Sequence, residues 1–183
     1  KAQDETQQTM FTLPGEANFL LKDASGNVWA GTRHGMEMFV GSETIQQTDF
    51  QPGSDDAENH FTAGIVSGVH LWLGTEAGVL WHYTPKNKRF ERVRIGLHSA
   101  ITGMASLDAN CILLTTKNEG FVVYNRYTGD IRKYSSATHH AIQSNRFGPP
   151  YVDSRGVAWL INQEYGVWRY DHQSQSLRLF RSD

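Results

Sequence analysis

The feature that most constrains this chain is a stretch it writes more than once. Asp23 to Gly35 reads DASGNVWAGTRHG, Val69 to Gly78 reads VHLWLGTEAG, and Asp153 to Gly166 reads DSRGVAWLINQEYG. Each sets a Trp among small or apolar residues and closes on a Gly. Anchored on the central apolar position of that short strand, Trp29, Trp72, Leu113 and Trp159 follow one another at 43, 41 and 46 residues. Propeller blades repeat at roughly 40 to 50 residues.

The same order of segments surrounds each anchor. NFLLKD, TAGIVS, ITGMASLD and PPYVD precede it as an inner strand, and Gly35, Gly78, Gly120 and Gly166 close a turn after it. MEMFV, VLWHY, FVVYN and VWRYD then read as a third strand, and TIQQTDF, KRFERV, DIRKY and LRLF as a fourth. Between them, TPKNKR, NRYTGD and DHQSQS carry the Asn, Gly, Pro, Asp and Ser of tight reversals. No window of 11 or more residues shows a 3.6-residue apolar period, so very little helix is expected.

A four-stranded unit with apolar residues on both faces cannot bury itself, and its copies must stack. A ring of blades does this while protecting strand edges. The expectation is an all-β chain: a β-propeller of four-stranded antiparallel blades at about 17–51, 61–95, 101–135 and 147–183, within one domain. Gly64, Gly103 and Gly148 fall in the inner strands, where crowded backbones require small residues. Pro149 and Pro150 fit an inner strand because one of its edges faces the channel. Copy two departs from the pattern, showing SGVH where an Asp-x-x-Gly turn would stand. Copies three and four replace the Gly-Thr after the anchor with Thr115-Thr116 and Ile161-Asn162.

Composition excludes some classes. With 39% hydrophobic and 20% charged residues the chain is a folding one, and a net charge of −2 gives no broad positive field for a phosphate backbone. Nucleic acid is not an expected partner. No run of 18 apolar residues could span a membrane as a helix. The chain starts at Lys1 without an initiator Met, which suggests a processed or cut-down product, so the lack of a signal peptide says nothing of compartment. Cys111, alone inside CILL, reads as a buried, inert thiol.

The repeats resemble the two-component regulator propeller family, whose blades carry a pattern close to Asp-x-x-Gly-Asn-x-Trp-x-Gly-Thr-x-x-Gly-Leu followed by an aromatic and Asp. Copy one matches at Asp23, Gly26, Asn27, Trp29, Gly31, Thr32, Gly35 and Phe39. Copy two matches at Trp72, Gly74, Thr75 and Gly78, and copy four at Asp153, Gly156, Trp159, Gly166, Tyr170 and Asp171. Copy three matches loosely. The resemblance implies a noncatalytic sensor module, the extracytoplasmic (periplasmic) part of a membrane-bound hybrid histidine kinase. It also implies that these residues are one piece of a larger propeller, with further blades and signalling domains in the same polypeptide. Members of that family from gut bacteria commonly sense oligosaccharides, so the implied ligand is an oligosaccharide or another small polar molecule. A homodimer is also open.

Because each strand reverses direction, the turns between second and third strands emerge on one rim together with the blade-to-blade loops. That rim collects Arg33, His34, Glu76, Lys117, Asn118, Glu119, Gln163, Glu164 and Tyr165 as candidate ligand-binding residues. It also carries the loops QPGSDDAENH and YSSATHHAIQSNRF. Planar and bidentate side chains of this kind suit sugar hydroxyls and carboxylates. Taken singly, each reads as a solvated turn residue.

The anchor tryptophans read as packing between blades, while Trp81 and Trp168 are expected nearer blade surfaces. His139 and His140 lack a third ligand at defined spacing, and Asp55, Asp56 and Glu58 read as a charged turn, so neither a metal nor a cofactor is expected. No Ser-His-Asp, phosphate-cradling or Cys-His signature appears. The competing readings are a propeller-fold lyase or glycosidase and a protein-interaction scaffold.

Overall fold

A computed structural model describes residues 16–40, 48–50 and 52–181. Those residues form four sheets of four antiparallel strands, each sheet laid out in chain order. The first holds β1 (Ala17–Lys22), β2 (Val28–Thr32), β3 (Met36–Phe39) and β4 (Thr48–Phe50); the second holds β5 (Phe61–Ser67), β6 (His70–Thr75), β7 (Leu80–Thr84) and β8 (Arg89–Val93). The third holds β9 (Ile101–Ser106), β10 (Cys111–Thr116), β11 (Phe121–Asn125) and β12 (Ile131–Tyr134). The fourth holds β13 (Phe147–Val152), β14 (Val157–Asn162), β15 (Gly166–Asp171) and β16 (Ser176–Phe180). The chain is all-β, with about four blades. Its one described helical turn, α1 (Asp56–Asn59), occupies what the sequence suggested was a charged turn: Asp55 caps it by accepting from the Glu58 amide at 2.8 Å. Of the expected last strand of copy one, TIQQTDF, residues 44–47 lie outside the described residues.

The inner strands touch in succession, β1 to β5, β5 to β9 and β9 to β13. Each is pinned to its own second strand with a bulge near the same end, as between Phe61 and Ala63 or Phe147 and Pro150. The second strands are the middle of a sandwich. In β10 every residue is buried, because blades lie on both sides of it, and so CILLTT reads as a run and not as an alternation. The same position in the last blade is half dressed: Ile161 is 53% exposed, since none of the described blades covers that face.

Three apolar seams join the blades. Trp29 and Met36 meet Leu71, Leu73, Trp81 and Tyr83 between the first two blades. Trp72 and Leu80 meet Ile101, Ile112 and Leu114 between the second and third, and Leu113 and Phe121 meet Leu160, Trp168 and Tyr170 between the third and fourth. Each large side chain so buried contributes about 1.5–3 kcal/mol.

Trp81 and Trp168 are 6% and 2% exposed, which corrects the expectation that they lie nearer the surface. On their third strands Trp81 and Trp168 look back into the preceding seam, a fact that spacing within one copy does not reveal. The inner glycines divide by position. A methyl group on Gly64 would come within 2.6 Å of the Phe19 ring and one on Gly103 within 2.5 Å of Pro149, whereas one on Gly148 would meet only the Ile161 carbonyl at 3.8 Å. Gly148 lacks a neighbour because its outward side belongs to the last described blade.

Candidate functional sites on the two rims

Strand reversal gives the arc two rims. The loop rim carries the second-to-third-strand turns and the connections between blades. The Lys117 amide donates to the Ala100 carbonyl at 3.0 Å, the Glu76 amide to His60 at 2.9 Å and the Gly120 amide to Asn145 at 2.9 Å, so turns and connections are tied together. All nine residues singled out from the sequence that way lie on these turns.

The structure brings some of the nine together. Lys117 Nζ is 3.9 Å from Glu76 Oε1 across the second and third blades. Glu119 Oε1 accepts from the His98 amide at 2.7 Å, and the Asn118 amide donates to Ser99 Oγ at 3.0 Å. Gln163, Glu164 and Tyr165 line a cavity of about 510 Å³ with Arg181, and Arg146 stands 3.6 Å from Glu164. Arg33 and His34 stand exposed on the first blade's turn, and neither lines a described cavity. The nine therefore form a loose row in place of one closed pocket.

The hairpin rim carries the first-to-second and third-to-fourth-strand reversals. In the first blade Asp23 organises its reversal: it accepts from the Ser25 and Asn27 amides, from Asn27 Nδ2 and from Trp29 Nε1, each at 2.9 Å. Burial alone would raise its carboxyl, but these donors, the Trp29 indole foremost, outweigh it and hold Asp23 below its ordinary value. The fourth blade repeats the device, with Trp159 Nε1 donating to Asp153 at 3.0 Å and so lowering that carboxyl.

The second blade does not repeat it. Leu21 pairs with Trp29 and Ile65 with Trp72, so Ser67 stands in register where Asp23 stands. A cavity of about 790 Å³ opens here between the second and third blades, lined by Ser67, Trp72, His82, Tyr124, Arg126 and Tyr127 among others. His70 Nδ1 and His82 Nε2 are 2.9 Å apart, and His82 stacks on Trp72 at 4.3 Å. Burial first, then His70, pushes His82 below its ordinary value. None of these residues was singled out as a binding residue from the sequence. The signal that points to them is the missing Asp of copy two.

On the same rim, Asp108, Cys111 and His172 place one ligating atom each within 4.8 Å of one another. Cys111 is buried, as its apolar run suggested, and burial followed by the Asp108 charge pushes its thiol up, away from the thiolate that ligates metals. Asp108 also spends one oxygen on the Asn110 and Cys111 amides, both at 2.7 Å. His139 stacks on Tyr134 at 4.7 Å.

No family model matches the chain, and no curated protein matches it by sequence. Solved structures do. The extracellular domain of a hybrid two-component system from B. thetaiotaomicron superposes with a TM-score of 0.73 at 16% identity, over 89% of this chain and 21% of that one. A second such domain from B. thetaiotaomicron gives 0.72 at 18%, over 90% and 25%. Virginiamycin B lyase from Staphylococcus aureus gives 0.72 at 16%, over 89% and 54%. The chain thus spans a fifth to a quarter of the two extracellular domains and about half of the lyase. At these identities the likeness is one of fold.

Proposed function

We propose that this chain is a noncatalytic, ligand-sensing part of a membrane-bound hybrid two-component regulator, its ligand an oligosaccharide or other small polar molecule held on the loop rim. The observation that carries the reading is the coincidence of the blade pattern with the shape of two extracellular two-component domains. The periplasm is the fitting location. Among the described residues no helix is long and apolar enough to cross a membrane.

Further blades in the same polypeptide belong to this reading. Support comes from the outer face of the last blade, where Tyr151, Ile161 and Phe180 are exposed. Binding in such a module signals only through unequal affinity for two arrangements of blades or protomers.

A thermal-shift screen of neutral and acidic oligosaccharides tests the reading, with Arg33→Ala and Lys117→Ala expected to weaken a hit without lowering the melting temperature of the free protein. Unchanged affinity in both variants would remove the loop rim as the site. The likeness to virginiamycin B lyase supports only the coarse form of a second reading, a propeller that is an enzyme; a carbohydrate as its substrate rests on the sequence reading alone. Turnover of any glycan that binds, followed by reducing-end release, would favour it over sensing.

A further inference from the structure

Asp108 and Cys111 stand at the first reversal of the third blade, and His172 stands directly after β15 in the fourth. Packing of the two blades brings their oxygen, sulfur and nitrogen within 4.8 Å of one another. The mixture of donors is what matters. A carboxylate, a thiol and an imidazole together suit a borderline-soft divalent ion of the zinc class, whereas magnesium and calcium take oxygen ligands.

Two of the three are already placed as ligands. Asp108 gives Oδ1 to the Asn110 and Cys111 amides, both at 2.7 Å, which fixes the carboxylate on its turn and leaves Oδ2 facing His172 Nε2 at 3.3 Å. In a tetrahedral zinc site with nitrogen and oxygen ligands at about 2.0–2.1 Å, the edge between two corners is about 3.3 Å. His172 has its other nitrogen 3.4 Å from the Tyr170 hydroxyl, which is 3.0 Å from that of Tyr134. Burial, then the Tyr134 contact, pushes Tyr170 up, so its hydroxyl stays neutral. With Nδ1–H donating to that hydroxyl, Nε2 turns its lone pair to Asp108, the tautomer a metal-binding histidine takes.

Cys111 supplies the third corner. It is 6% exposed, and its thiol enters no hydrogen bond among the described residues. A shift of about 1.2 Å or less brings Sγ to tetrahedral distance from the other two ligands. The raised thiol is no bar, because the metal takes the place of the proton: the S–H bond breaks, the sulfur electron pair bonds the ion, and the proton leaves to solvent. Asp108, exposed on its turn, leaves the ion a way in and water a fourth position.

We propose that Asp108, Cys111 and His172 bind a divalent ion of the zinc class, with one position left to water, and that the ion clasps the third blade to the fourth. The site is on the rim opposite the loop-rim row and stands whether or not that row binds anything.

The chain has 8 histidines, so zinc binding by itself identifies no site, but its single cysteine makes a metal–thiolate bond traceable. Cobalt(II) is titrated into the metal-free protein and followed by its thiolate charge-transfer band in the near ultraviolet and its tetrahedral bands in the visible. A single equivalent is expected to develop both, zinc to abolish them and magnesium to leave them unchanged. Cys111→Ser should remove the charge-transfer band. His172→Gln, and Asp108→Asn, which keeps an acceptor for the two amides, should each weaken cobalt binding by about tenfold to a hundredfold or more. Zinc should also raise the melting temperature of the unaltered protein more than that of any of the three variants. Cobalt bound without the thiolate band is adventitious binding at other histidines and overturns the proposal. So does a His172→Gln or Asp108→Asn protein, folded by its melting curve, that binds cobalt as tightly as the unaltered one.

Discussion

On the loop rim a methyl group at Gly120 would run into the backbone oxygen of Tyr134, whereas on the hairpin rim one at Gly68 would meet nothing within 4 Å. Both residues have positive φ, +83° and +62°, so the contrast lies in their surroundings and not in their own backbone. At the loop rim the second-to-third-strand turns of the second and third blades are hydrogen-bonded to the connections between blades, Glu76 to His60, Lys117 to Ala100 and Gly120 to Asn145. The hairpin reversals belong to single blades. They can therefore differ from copy to copy, and they do: Asp23 and Asp153 bind a tryptophan of their own blade, Leu107 replaces the acid in the third, and Ser67, beside a cavity, replaces it in the second. A repeat keeps its shape where copies touch and varies where they do not.

Gly120→Ala tests the tight side of this contrast with the largest effect. A left-handed alanine pressed against a backbone oxygen should cost about 3–4 kcal/mol in urea denaturation, near the upper end for single substitutions. A loss below 1 kcal/mol would mean that the loop rim yields as readily as the other. Asp23→Ala comes next. It strands the buried Trp29 N–H and three further donors, for an expected loss of about 2–3 kcal/mol. Ser67→Ala, at the matching position, should change stability by no more than about 0.5 kcal/mol, and equal losses at the two positions would erase the distinction between blades.

Acid unfolding sharpens the same comparison. The Asp23 carboxyl sits below its ordinary value in the folded chain, so its stabilisation is complete above that value, near pH 4, and is lost as pH falls through the lower folded value. The denaturation midpoint should drop over that window. With Asp23→Asn the drop should be shallower, because Asp108, Asp153 and Asp171, also held low, still titrate. Gly68→Ala, the counterpart of Gly120→Ala on the open side, should cost only about 1 kcal/mol for the left-handed backbone alone, with no packing change to add to it.

Much of this was legible in the residues. The Trp and Gly spacing marked the blades because each copy must meet the same neighbours in the same way, and the turn chemistry marked where strands reverse. The rim shared by Arg33, Glu76, Lys117 and Gln163 followed from strand parity. Other features were not legible. Trp81 and Trp168 look like surface aromatics when one blade is considered alone, and they become core only when the preceding blade is laid against them. The group formed by Asp108, Cys111 and His172 joins residues from two blades, and no spacing along the chain announces it.

The sequence alone settled that the chain folds as thin β units which must stack, since period, strand length and apolar content are properties of each copy by itself. The tertiary structure decided which copies leave something unanswered. Whether Trp72 finds an acceptor depends on the register that sets Ser67 in place of an acid, and on the gap left when a third blade packs beside the second. Satisfying a buried donor is a matter of ångströms between strands far apart in the chain, and that distance exists only once the blades are assembled.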